Sequence, residues 1–135
     1  MGLFDGYGLA VRLQGWNEYD PILLSPYFGN LVENLALSEI SRFFINRGQS
    51  QEIFFVRSKD QVEVDFLVPL SNQRYIAIEV KVTPCDITKQ QLQLLDSLKL
   101  NIIEKWVVTP TKSTNFAHAK VIPLDQIFEA LDKLS

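Results

Sequence analysis

Two neighbouring stretches with a strict two-residue hydrophobic period constrain this chain more than any other feature. Val62 to Val68 alternates, with Val62, Val64, Phe66 and Val68 on one side and Glu63, Asp65 and Leu67 on the other. Tyr75 to Val82 repeats the pattern, with Ile76, Ile78, Val80 and Val82 opposed to Tyr75, Ala77, Glu79 and Lys81. Such alternation belongs to strands with one buried face. The link from Pro69 to Arg74 is short, and its Ser71-Asn72-Gln73 centre suits a turn. The two stretches are therefore expected to pair as an antiparallel hairpin.

What surrounds the hairpin fixes the fold class. Ser25-Pro26 offers an N-cap followed by proline at the first helical position. From there Phe28, Val32, Leu35, Ala36, Ile40 and Phe43 recur at helical spacing until Asn46-Arg47-Gly48 closes the segment. Glu52 to Arg57 reads as a short aromatic strand. After the hairpin, Asp86 is expected to cap a helix reaching about Leu98, with Ile87, Leu94, Leu95 and Leu98 inward. Lys105 to Thr109 reads as a buried strand stopped by Pro110, and Lys112 to Asn115 as a polar loop. Val121-Ile122 adds an edge strand, and Asp125 caps a last helix with Ile127, Phe128 and Leu131 inward. A helix between the third and fourth strands implies a parallel crossover, whereas the short links before it imply antiparallel neighbours. The expectation is one α/β domain, a mixed β-sheet flanked by helices, over residues 25–135. Residues 1–24, with Gly2, Gly6, Gly8 and Gly15, read as irregular with one short helical turn. They look like a linker continuing an upstream region.

Composition narrows the function classes. The chain has 135 residues, 47% of them hydrophobic and 21% charged, which suits one globular domain and excludes disorder. No run approaches the ~18 apolar residues of a membrane span. The start lacks the basic-then-apolar order of a secretory leader. One cysteine, Cys85, and one histidine, His118, make neither a disulfide framework nor a zinc site, so a reducing cytoplasm is expected. Thirteen basic and 16 acidic residues give a net charge of −3, which argues against nucleic-acid binding through bulk charge. Setting aside the three acids discussed next leaves 13 against 13. No G-x-x-x-x-G-K-[ST] loop occurs, so the chain by itself is not expected to bind ATP.

The polar face of the hairpin is where chemistry is expected. Folding symmetrically about Asn72 sets Asp65 opposite Glu79 and Glu63 opposite Lys81, all on one face. Opposed like charges destabilise a sheet, and a divalent cation between them would reverse that cost. Oxygen-only ligands favour Mg2+ or Mn2+ over zinc. A third acid, Glu33, has Ala36, Leu37 and Ile40 following it at helical spacing, so it is expected to be partly buried and to need a partner. The competing reading is a solvated sheet face, with Glu63–Lys81 and Asp65–Arg57 as plain ion pairs.

Asp65 followed at distance by Glu79-Val80-Lys81 resembles the D…(D/E)xK pattern of the PD-(D/E)xK nuclease superfamily, and the preceding helix and strand order are similar to its core. Val64 stands where the superfamily's name would put proline. A longer string resembles a narrower group: Gly29-Asn30-Leu31-Val32-Glu33-Asn34-Leu35, Glu39, Phe55-Val56-Arg57, Glu63-Val64-Asp65-Phe66 and Ile78-Glu79-Val80-Lys81. It looks like the nuclease-like domain of unknown function at the C-terminus of many prokaryotic AAA-type ATPases. There, a segment like Leu3-Phe4-Asp5-Gly6-Tyr7-Gly8-Leu9 links an upstream winged-helix region to the domain. The resemblance implies a restriction-endonuclease-like αβββαβ core and a Mg2+- or Mn2+-dependent nuclease acting on DNA. It further implies Asp65, Glu79 and Glu33 at the metal, Lys81 at the attacking water or the phosphate, and an ATPase region in a longer parent protein. The oligomeric state stays open, a homodimer included.

Other residues carry weaker signals. Arg57 and Lys59 precede the hairpin, and Arg42 and Arg47 end the first helix; each could touch phosphate, but scattered surface cations usually aid solubility. Gln90 and Gln91 are similar to a glutamine that some related nucleases use near the site, although a solvent-facing position is expected for both. His118 in its polar loop is expected to be unrelated to catalysis. Cys85 reads as structural, and Trp106 and the nine phenylalanines read as core.

Overall fold

A computed structural model describes residues 9–13, 28–49 and 52–135. The expected helix start at Ser25-Pro26 and most of the stretch before it lie outside the described residues. In chain order the elements are β1 (Leu9–Leu13), α1 (Phe28–Asn46), β2 (Ile53–Arg57), β3 (Glu63–Pro69), β4 (Arg74–Val80), α2 (Lys89–Ser97), β5 (Asn101–Thr109), β6 (Lys120–Pro123) and α3 (Ile127–Leu134). The strands form one sheet in the order β1-β2-β3-β4-β5-β6. The pairs from β1 to β4 are antiparallel, and β4–β5 and β5–β6 are parallel. The fold is a mixed α/β sheet covered by helices. No helix among the described residues is long and apolar enough to cross a membrane.

Each helix buries an apolar stripe, although Leu35, which recurs with the inner residues of α1 in the sequence, is exposed. On one face of the sheet, Ala36, Leu37, Ile40, Phe43 and Phe44 of α1 and Ile127 and Leu131 of α3 pack on Phe66, Val68, Ile76, Ile78, Trp106 and Val108. On the other face, Leu94, Leu95 and Leu98 cover Phe54, Val56, Val64, Leu67 and Ala77. Helix α1 ends at Gly48, whose φ of 70° suits glycine. There the Gln49 N–H donates to the Phe44 carbonyl and the Gly48 N–H to the Ile45 carbonyl, a Schellman closure.

The hairpin register is centred on Asn72. Pro69 pairs with Tyr75, Val68 with Ile76, Leu67 with Ala77 and Phe66 with Ile78. Asn72 sits at φ 61°, a conformation asparagine tolerates, and the Leu70 N–H closes the turn on the Arg74 carbonyl at 2.7 Å.

Four expectations are corrected. Leu9–Leu13, expected to be irregular, is an edge strand, and Leu9, Val11 and Leu13 indeed recur with period two. Strand β5 begins at Asn101 rather than Lys105, because it pairs with β4 from Arg74↔Asn101 onwards. Its interrupting Glu104 is neutralised in place, accepting from Trp106 Nε1 and Lys120 Nζ, both at 2.7 Å. Thr88, not Asp86, caps α2. Gln126 caps α3 after a 3-10 turn that contains Asp125.

The alternation of β3 is also broken. Val56 pairs with Val64 but Phe54 with Leu67, so two β3 residues, Asp65 and Phe66, face the single Phe55. This β-bulge flips the face: Val64 packs under α2 while Phe66 and Val68 pack under α1. The expectation of Val62, Val64, Phe66 and Val68 on one face therefore fails at Asp65. Packing generates a direct prediction. Leu131→Ala, at a fully buried site, should cost about 2–5 kcal/mol in urea unfolding. Leu35→Ala, at an exposed site on α1, should change stability by less than about 0.5 kcal/mol.

Candidate functional site

The bulge leaves Asp65 without ordinary ladder bonds, and side chains replace them. The Val80 N–H donates to Asp65 Oδ2 at 2.8 Å. The Asp65 N–H donates to Glu79 Oε1 at 3.1 Å. The two acids are thus laced together where the backbone ladder stops. From there they diverge. The Asp65 carboxyl meets Glu33 of α1, within hydrogen-bond contact. The Glu79 carboxylate turns towards α2, where Gln91 Nε2 donates to its Oε2 at 2.9 Å.

Electrostatics follows from that arrangement. Burial, then contact with Glu33, pushes the Asp65 carboxyl up to about 8. A second carboxyl group beside it favours the protonated form of Asp65. Burial and the neighbouring Asp65 also raise Glu79, against the pull of Gln91 and Lys81. Burial alone would lower Lys81, but Glu79, with help from Cys85 and Asp65, holds it above the usual lysine range. These two tendencies conflict, since Lys81 favours an ionised Glu79 and burial a neutral one. The hydrogen bonds decide it. Asp65 N, Gln91 Nε2 and Lys81 Nζ, at 3.2 Å, all donate to the Glu79 oxygens, which is the environment of a carboxylate.

Glu33, Asp65, Glu79 and Lys81 are therefore linked in a chain of contacts, neither on the single polar face expected of them nor gathered as three acids around one point. Glu63 leaves the group: it pairs with Arg57 Nε at 3.0 Å, so the Glu63–Lys81 and Asp65–Arg57 pairs of the competing, solvated-face reading are replaced by Arg57–Glu63 and Lys81–Glu79. Lys59 and Gln90 are exposed. Arg42 pairs with Glu39, and Arg47 pairs with Asp132 across α1 and α3. Cys85, expected to be structural, is exposed. The backbone N–H of His118 donates to Asp86 Oδ2.

The residue that sequence reasoning misplaced is Gln91. It is buried, 7% exposed, beside a Glu79 of equal burial. The signal was present: Thr88-x-x-Gln91 is a capping-box pattern, which ties the side chain at its fourth position back to the helix start.

Among the described residues, no group of three His, Cys, Asp or Glu side chains is gathered so that it could hold a metal ion. Mg2+ does not require such a cage; it keeps several waters and binds through one or two carboxylates plus substrate phosphate. The Glu33–Asp65 pair matches that requirement in charge and in donor type.

The raised Asp65 pKa has a consequence for stability. Asp65 keeps its proton up to about pH 8 in the folded chain but loses it near 3.8 when unfolded. Between those values the folded state binds more protons, so the Asp65 contribution falls as pH rises and levels off above about 8. Melting curves of Asp65→Asn and the parent should diverge across this window, with the variant gaining relative to the parent towards pH 8. Parallel curves would contradict the contact.

Comparison with curated proteins and with solved structures gives no match. Comparison with protein families matches residues 28–127 to the domain of unknown function DUF4143, a span from the first residue of α1 to the first of α3 that contains Glu33, Asp65, Glu79, Lys81 and Gln91. That span covers most of the chain, which therefore belongs to the DUF4143 family.

Proposed function

We propose that this chain is a divalent-metal-dependent, nuclease-like domain of PD-(D/E)xK type that hydrolyses phosphodiester bonds in DNA, as the C-terminal part of an AAA-type ATPase. The observation that carries this reading is the contact between the carboxyls of Glu33 and Asp65, on separate elements and partly buried. Two carboxyl groups brought together at a β-bulge are costly for a scaffold once both are ionised, and bulges are frequent next to active sites. Glu33 and Asp65 would hold Mg2+ or Mn2+, with Glu79 at the border of the seat. A metal there would polarise the phosphoryl oxygen and lower the pKa of its bound water. Lys81, kept charged by Glu79, supplies a cation for the charge that develops on the phosphate. Arg57, Lys59 and Gln90 lie outside this cluster and are assigned no step.

One observation favours a second reading, a catalytically silent module of the same fold that docks or binds nucleic acid beside an ATPase. Both Glu79 oxygens are already occupied by donors, which suits a structural role. Cleavage assays separate the two. With Mg2+ or Mn2+, the parent should cut branched, linear or single-stranded DNA, and Asp65→Ala and Lys81→Ala should each lower the rate by roughly 100-fold or more. Equal activity in parent and variants, or none in any, would remove the catalytic reading and leave the docking module.

A further inference from the structure

The capping box of α2 and the proposed site share one side chain. Gln91 Oε1 accepts from the Thr88 N–H at 2.9 Å, while Thr88 Oγ1 accepts from the Gln91 N–H at 3.1 Å. The first of these bonds settles which way the amide faces. With its oxygen bound to the helix start, its two N–H donors point the other way. One donates to the Glu63 carbonyl at 2.8 Å, just before the bulge, and the other to Glu79 Oε2 at 2.9 Å. The amide is thus fully satisfied, with each atom assigned to a separate element.

The same Glu79 oxygen also takes Lys81 Nζ at 3.2 Å, and the other Glu79 oxygen takes the Asp65 N–H. A carboxylate on a flexible side chain, given three donors, is held in one rotamer. We infer that Gln91 is a positioning residue: oriented by the Thr88 capping box, it fixes the Glu79 carboxylate and through it the Lys81 ammonium beside Asp65. This inference rests on the nuclease-like reading for its consequence in catalysis, but not for its geometry. It also assigns the N-terminus of α2 a task beyond helix capping. Gln91 touches neither the Glu33–Asp65 pair nor the proposed metal, so it acts only through Glu79.

A capping box accepts glutamate as readily as glutamine, which gives a discriminating variant. Gln91→Glu keeps the acceptor for the Thr88 N–H but loses both donors to Glu63 and Glu79. The expected result is a folded protein in which the Asp65 amide, read by hydrogen exchange and its NMR shift, loses roughly 10-fold or more protection. Gln93→Glu, on the exposed side of α2, should leave that amide unchanged. If Gln91→Glu does not fold, Gln91→Met, similar in length and uncharged, is read in the same way. In a parent that cleaves DNA, Gln91→Met should also lower kcat roughly 10- to 100-fold with KM unchanged. An Asp65 amide that exchanges as in the parent, or an unchanged kcat, overturns the inference. A parent that neither binds Mn2+ nor cleaves ends the nuclease reading instead, and the amide measurement still decides the positioning role.

Discussion

The extra residue in β3 is the constraint on which the rest of this structure depends. The bulge opposes two β3 residues to one on β2, and at the same place the β3–β4 pairing ends at Phe66↔Ile78, one residue short of Asp65. Unpaired backbone donors inside a sheet are costly, and two carboxylates meet the need: Asp65 takes the Val80 N–H and Glu79 takes the Asp65 N–H. The acids are therefore part of the sheet's own bonding as well as candidates for chemistry. A surface ion pair has no such double obligation.

The bulge also explains how a sheet covered on both faces can keep a polar cluster. Each of two acids is met by a helix from its own side of the sheet, Asp65 by Glu33 of α1 and Glu79 by Gln91 of α2. The apolar stripes that seat these helices, Ala36, Leu37 and Ile40 on α1 and Leu94 and Leu95 on α2, are what bring the polar side chains to the strand edge. Packing thereby sets the electrostatics, since burial is the largest cause of the upward pKa shifts of both Asp65 and Glu79.

Much of this was legible in the sequence, for identifiable reasons. The hairpin centre at Asn72 followed from two period-two runs and a turn-forming link, and its register is the observed one. The stripe on α1 and its glycine stop followed from helical spacing. The bulge was not placed from the sequence: the apolar run Phe66-Leu67-Val68 breaks the alternation, but the extra residue itself appears only against Phe55 on β2. The divergence of Asp65 and Glu79 to separate helices was hidden for the same reason. Gln91 was legible in principle, through Thr88 three residues before it, but looked like any polar residue on a helix whose inner stripe lies elsewhere.

Anomalous diffraction from crystals soaked in Mn2+ shows whether Glu33 and Asp65 form a seat for a divalent cation. If they do, a manganese peak lies within roughly the 2.0–2.6 Å oxygen distances of hard divalent cations from both carboxyls. Carboxyls still in mutual contact, with manganese bound elsewhere or nowhere, would contradict it.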